Sequence, residues 1–219
     1  MIKIYARKLV SDEDFRLVEL DVKKYAQRAT LDKIDSYKSL KNKQRKLIGE
    51  MLAFKGLEDC FKLKKEDIVF TYGEKGKPML KDSVDMFFNI SHSGEWVVCA
   101  VSDKEVGLDI ELIKDAKMKV ANRFFSPSEI EVLNSLDGMA QNVQFFTLWT
   151  AKESYLKYLG TGLTKALNSF DVIINSDRIS VNESELSRSL YFSLIPIDSA
   201  HKMMLCSVYN GVSDNVVIC

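Results

Sequence analysis

The chain is short of the residues that mark several familiar classes of protein. Its 219 residues include 4 Cys, 3 Pro, 10 Gly and 2 His. The cysteines, at positions 60, 99, 206 and 219, show neither C-x-x-C spacing nor a pairing with the histidines, which excludes the usual zinc and dithiol motifs. Cys99 and Cys206 lie inside the apolar runs VVCAV and MMLCSV and read as small buried hydrophobes. No run of about 18 apolar residues is present, so no segment is expected to cross a bilayer. The opening MIKIYARKLV is interrupted by Lys3, Arg7 and Lys8 and lacks the apolar stretch of a signal peptide, so a cytoplasmic protein is expected. Lys plus Arg equal Asp plus Glu at 31 each, which leaves no basic excess of the kind a nucleic-acid binder carries. Any polyanionic ligand must be met locally.

What is present describes an ordinary folding chain. A 46% hydrophobic fraction supports a core, and the length falls between one large domain and two small ones. Residues 11–25 read as a short helix, and Ser39 to Cys60 as a longer one whose first half is basic at Lys41, Lys43, Arg45 and Lys46. That basic face is either a solvated surface or a phosphate contact. Asp67 to Tyr72 reads as a strand, followed by the turn GEKGKP. Met86 to Ser91 and Trp96 to Ser102 form a hairpin around S-H-S-G-E, and with Val106 to Glu111 they predict an antiparallel meander. Ser126, Pro127 and Glu129 have the grammar of a capping box. A long helix from Val143 to Leu159 stops at Gly160. Further strands are expected near 170–175, 190–195 and 202–209. LYFSLI with HKMMLCSVY resembles MFFNIS with EWVVCAVS, which suggests an internal duplication.

Two acids stand out inside the apolar segment VGLDIE. Strand alternation puts Gly107, Asp109 and Glu111 on one face and Val106, Leu108 and Ile110 on the other. The acids either face water or hold a cation beside a glycine that offers no side chain. On the long helix, WTAKESYLK places Glu153 and Lys157 four apart, either a helix-stabilising ion pair or part of a site. Three carboxylates from two elements suit a hard divalent cation shared with substrate phosphates. Lys75, Lys77, Lys152 and Lys157 are on hand to neutralise phosphate oxygens. His92, in a loop between small hydroxyl residues, is a candidate ligand contact, whereas His201 has no such setting.

Taken in order, GKP (76–78), FNISHSG (88–94), VGLDIE (106–111), FFSPSE (124–129) and WTAKESYLKYLGTGL (149–163) resemble the signature of the Sfp-type 4′-phosphopantetheinyl transferases. The resemblance implies an α+β fold of two pseudo-twofold-related subdomains, 1–104 and 105–219, each a small antiparallel sheet packed with helices. Coenzyme A, the co-substrate, would lie in the cleft between them. It also implies that the phosphopantetheine arm passes to a serine hydroxyl of an acyl or peptidyl carrier protein, releasing adenosine 3′,5′-bisphosphate. The expected partners are coenzyme A and that carrier, with no nucleic acid and no membrane, and the expected state is a monomer.

The same resemblance assigns residues. Asp109, Glu111 and Glu153 would hold Mg²⁺, with Mn²⁺ accepted by the same oxygen ligands. Glu153 would take the serine proton, and Lys157 would serve the leaving phosphate as a catalytic and coenzyme-binding residue. Ser91, His92, Lys77 and Pro78 match coenzyme-contacting positions. Extension toward the N-terminus adds Arg45, Lys46 and Lys33, although position 46 carries Lys where a small hydroxyl residue is common in the family. The carrier is expected to meet the segment 113–125, with Lys114, Lys117, Met118, Lys119, Phe124 and Phe125. A different phosphoester enzyme and a silent coenzyme- or carrier-binding module are the competing readings.

Overall fold

A computed structural model describes residues 1–175, 178–182, 189–211 and 215–219. The chain divides into two compact units, Met1–Lys104 with Asn215–Cys219, and Glu105–Asp214. The last five residues, which a division at 104/105 leaves with the second half, therefore belong with the first.

In the first unit, β1 (Ile2–Lys8) is followed by α1 (Asp12–Lys23), α2 (Arg28–Ile34) and α3 (Leu40–Phe61). Then come the short hairpin β2 (Phe70–Tyr72) and β3 (Pro78–Leu80) and the longer hairpin β4 (Phe87–Ser93) and β5 (Trp96–Ser102). Ser11 and Ser39 cap α1 and α3 by accepting from the amides of Asp14 and Asn42. The sheet order is β11-β1-β5-β4, where β11 (Val216–Ile218) adds a parallel edge to β1. Leu47, Leu52 and Leu57 of α3, fully buried, pack with Val97, Cys99 and Val101 of β5 in one core. Asp67 falls in a 3-10 turn, Lys65–Asp67, so the strand predicted from residue 67 begins only at Phe70.

The second unit starts with β6 (Val106–Leu112), α4 (Met118–Phe124), α5 (Pro127–Asn134) and α6 (Gly138–Leu159), and continues with β7 (Asp171–Asn175), β8 (Arg178–Asn182), β9 (Tyr191–Leu194) and β10 (His201–Ser207). Its sheet runs β6-β10-β9-β8-β7. The predicted meander is thus corrected: β6 pairs with β10, not with β5. The reason is that β5 already has β1 on one edge and β4 on the other, so no edge is left for a third partner. The capping box of α5 is formed at both Ser126 and Glu129, and α6 ends on Gly160 at φ 70°. α6 is buried or half-buried from Gln141 to Tyr158, and Tyr155 meets Phe170 edge-to-face at 5.0 Å.

The two units repeat one topology. A first strand, intervening helices and a 22-residue helix lead to a hairpin whose second strand pairs back on the first: β1, α3, β4–β5 in one, and β6, α6, β9–β10 in the other. Among the described residues, no helix is long and apolar enough to cross a membrane.

Candidate active site

In the second unit α6 lies directly on the face of β6 that carries Gly107, Asp109 and Glu111. A Cβ on Gly107 would stand 1.9 Å from the Ser154 carbonyl oxygen and 2.4 Å from the Tyr158 amide nitrogen. Only a residue without a side chain lets the helix backbone come this close. The face that looked open in the sequence is therefore covered, and Asp109 is 4% exposed rather than solvated. The glycine serves approach of the helix, a role that alternation alone did not reveal.

This approach brings the helix residues to the acids. Lys157 Nζ donates to Asp109 Oδ1 at 2.7 Å and to the Leu108 carbonyl at 3.2 Å. Glu153, half-buried one turn earlier, has its carboxyl held above the usual range by burial and by the charges of Asp109 and Glu111, with Lys157 opposing. Glu153 thus stands among two further carboxylates, Asp109 and Glu111, and the ammonium of Lys157. Among the described residues, no three His, Cys, Asp or Glu side chains converge as a ready metal cage. The donor chemistry nonetheless fits Mg²⁺, which takes carboxylate oxygen and completes its shell with water and substrate phosphate.

Lys152 departs from expectation. It is fully buried, salt-bridged to Glu129 at 2.8 Å and bonded to the carbonyls of Leu167 and Phe170, so it is not among the lysines available to a phosphate. Of the predicted carrier-facing residues, Phe125 is 2% exposed and packs on Phe145 and Trp149 as core. Lys114, Lys117 and Lys119 are exposed, while Met118 and Phe124 are partly buried against the core.

The first unit holds a cavity of about 450 Å³ between α3, the β2–β3 turn and β4. Arg45, Lys46, Pro78 and His92 line it, as do Tyr37, Glu50 and Tyr72, which the sequence reading did not select. Ser91 is buried on β4 and alternates to the face opposite Ile90 and His92. Lys77 lies in the turn next to Pro78, where its carbonyl accepts from the Gly73 amide at 2.9 Å. Lys33 is exposed on α2 and is not among the lining residues.

The lining is anchored. Arg45 donates to the Gly94 carbonyl at 2.8 Å, which ties α3 to the turn of the hairpin bearing His92. Lys46 bonds Glu50 at 2.9 Å and the Tyr72 hydroxyl at 3.1 Å. Burial alone would lower its ammonium, but Glu50 and Tyr72 outweigh that and hold it above the ordinary value. Glu50 also accepts from Thr30 Oγ1 and the Gln27 amide, so this buried acid organises α2 around the cavity. Its i,i+4 spacing from Lys46 was the available signal.

Both halves of the chain match one family. Residues 105–203 match the model described as the 4′-phosphopantetheinyl transferase superfamily, and residues 18–104 match 4′-phosphopantetheinyl transferase, N-terminal. The chain is 35% identical over 175 residues to 4′-phosphopantetheinyl transferase Sfp of Bacillus subtilis (strain 168), covering 80% of this chain and 78% of that protein. It is 34% identical over 200 residues to 4′-phosphopantetheinyl transferase gsp of Aneurinibacillus migulanus, covering 91% and 82%. A solved holo-(acyl-carrier-protein) synthase from Bacillus anthracis str. Ames aligns at TM-score 0.42 and 19% identity, covering 47% of this chain and 92% of that one. The chain belongs to the 4′-phosphopantetheinyl transferase superfamily.

Proposed function

We propose that the protein transfers the 4′-phosphopantetheine arm of coenzyme A to a serine hydroxyl of an acyl or peptidyl carrier protein, with adenosine 3′,5′-bisphosphate as the second product. The observation that carries this reading is the cluster on β6 and α6, where Lys157 pairs with Asp109 beside Glu153 and Glu111. In the reaction the serine oxygen bonds to the phosphorus bearing pantetheine, and the bond from that phosphorus to the bridging oxygen breaks. The leaving bisphosphate keeps the electron pair, and the serine proton goes to Glu153.

Glu153 suits that task because it stands on α6, a different element from Asp109 and Glu111, one turn from Lys157. Lys157, fixed by Asp109 and the Leu108 carbonyl, presents positive charge where charge grows on the departing phosphate. Asp109, Glu111 and Glu153 would hold Mg²⁺, which when bound offsets charge on the pyrophosphate. The cavity of the first unit would take the nucleotide end of the coenzyme. Tyr37 and Tyr72 offer aromatic surface for the base, and Arg45, Lys46 and His92 offer donors for phosphate. The protein would act as a cytoplasmic monomer and, because the thiol end takes no part in the attack, accept acylated coenzyme A.

The test is intact mass of carrier proteins after incubation with the protein, coenzyme A and Mg²⁺, beside an EDTA control. A metal-dependent gain of about 340 Da, the mass of the phosphopantetheine arm, is expected from phosphoryl transfer to serine. No gain on any acyl or peptidyl carrier, with coenzyme A still bound, would instead make the chain a binding module.

A further inference from the structure

We infer that Lys152 is a positioning residue for the transfer reaction, setting the roll of α6 and with it the place of the neighbouring Glu153 carboxylate. The inference rests on the reading of Glu153 as the group that takes the serine proton.

An ammonium has three N–H donors. Those of Lys152 find three acceptors, the carbonyl oxygens of Leu167 at 2.8 Å and Phe170 at 2.7 Å and Glu129 Oε1 at 2.8 Å. The ring of Phe170 lies 4.3 Å from the same nitrogen. With the side chain 0% exposed and its donors spent, Lys152 has nothing to offer a substrate phosphate. Its acceptors are themselves held in place. Glu129 Oε2 accepts from the Ser126 amide at 2.9 Å, closing the cap of α5, and Oε1 accepts from the Val172 amide of β7 at 2.7 Å. One lysine thereby fastens α6 to α5, to the turn Leu167–Ser169 and to the start of β7.

Gly107 of β6 meets the same stretch of α6 at the backbone of Ser154 and Tyr158. Glu153 follows Lys152 in the chain and lies between these two attachments. A helix with its side chains has a radius of roughly 5–6 Å, so a roll of about 10° moves a carboxylate by about 1 Å. A misplacement of that size costs on the order of 10²-fold in rate. Stability alone does not require a buried ion pair here, since well-packed apolar residues commonly replace one without loss.

The test compares wild type with the paired variant Lys152→Met, Glu129→Gln, which removes both buried charges together. The expected result is a folded protein by circular dichroism, with coenzyme A affinity measured by calorimetry in EDTA within about twofold of wild type. Its kcat with Mg²⁺ and a carrier should fall by on the order of 10²-fold, with KM for coenzyme A little changed. In a Glu153→Gln background the same pair should change the residual rate by less than about threefold, because the group it positions is already gone. Wild-type kcat in the paired variant, or an undiminished loss in the Glu153→Gln background, would overturn the inference. Should the paired variant not fold, Glu129→Gln alone keeps both carbonyl bonds to Lys152 and should show a smaller loss of kcat, and an unchanged kcat there would also overturn it. Wild-type turnover by Glu153→Gln itself would instead remove the base assignment on which the inference stands.

Discussion

Replacing Gly107 by alanine tests the geometry of the site most directly. The added methyl would meet the Ser154 carbonyl oxygen at 1.9 Å and the Tyr158 amide at 2.4 Å, and ordinary contact begins near 3.4 Å. The obstructing atoms are helix backbone, which cannot swing aside as a side chain does. α6 must therefore lift from β6 by about 1.5 Å or the strand must bend away, and overpacking of this kind costs about 3 kcal/mol. For a chain of this size that corresponds to a fall of roughly 6–12 °C in melting temperature. The same lift stretches the 2.7 Å Lys157–Asp109 bond beyond hydrogen-bonding range. Transfer by the protein that remains folded should fall by on the order of 10²-fold. The assay is thermal melting together with intact-mass turnover at a temperature where the variant is folded. Gly211→Ala supplies the comparison, because its φ of 72° imposes strain while nothing among the described residues lies within 4 Å of the added carbon. That variant should lose about 1–2 kcal/mol and keep its rate per folded molecule. Gly107→Ala with the melting temperature and turnover of wild type would refute the claim that close helix approach assembles the site.

Other outcomes follow from the same contacts. Glu153→Gln should keep coenzyme A binding by calorimetry and lose transfer by at least about 10²-fold, and normal turnover would reject its role. The same variant should flatten the pH dependence of stability in EDTA. Because burial and the Asp109 and Glu111 charges hold the Glu153 carboxyl above its ordinary value, the folded chain binds that proton more tightly than the unfolded chain. Wild type therefore loses stability as pH rises from the ordinary glutamate range, near ~4.3, through the raised folded value, and equal melting curves against pH for the two proteins would count against it. His92→Ala should chiefly raise the dissociation constant for coenzyme A, by about tenfold, with kcat at saturation much less affected. Calorimetry showing unchanged affinity would remove His92 from the coenzyme site. Light scattering should give the mass of one chain, and a stable dimer or trimer would contradict the proposed monomer.

Elements with local chemical signals could be read from the sequence, and those held by distant partners could not. Helix α3 was placed within a residue at each end because its apolar residues recur at helical spacing, and the structure adds the cap at Ser39. α5 was legible from its capping box. α6 begins at Gly138, five residues before the periodicity becomes clear at Val143, and its first turn is tied down by Gln141 bonding the carbonyls of Leu133 and Leu136. α2 has no side-chain cap, and its Thr30 is held by Glu50 of α3, so nothing local announced it. β1 went unread because its charged residues looked like interruptions. Its status as a strand comes from pairing along its whole length with β5, nearly a hundred residues away. The three acids and Lys157 were legible as types and spacings, but the covering of their face by α6 was not.

The repeat explains why one unit carries the acids. Tyr5 of β1 pairs with Cys99, and Gly107 of β6 pairs with Cys206, the two cysteines that occupy equivalent places in the paired hairpins. By this register Tyr5 stands where Gly107 stands, and Arg7, opposite Val97, stands where Asp109 stands, opposite Met204. In the first unit the strand supplies the bulk and the helix supplies the gap. A Cβ on Gly56 of α3 would lie 2.9 Å from the Tyr5 ring. In the second unit the roles are exchanged, with the gap on the strand and helix backbone filling it. With the glycine on the strand instead of the helix, the main chain of α6 lies down on β6, so that two polar side chains one turn apart, Glu153 and Lys157, lie near a carboxylate instead of an arginine. Two strand positions, 107 and 109, thus set the acid-bearing face of the second unit, while the matching positions in the first, 5 and 7, build an apolar contact and an Arg7–Met51 contact at 3.6 Å.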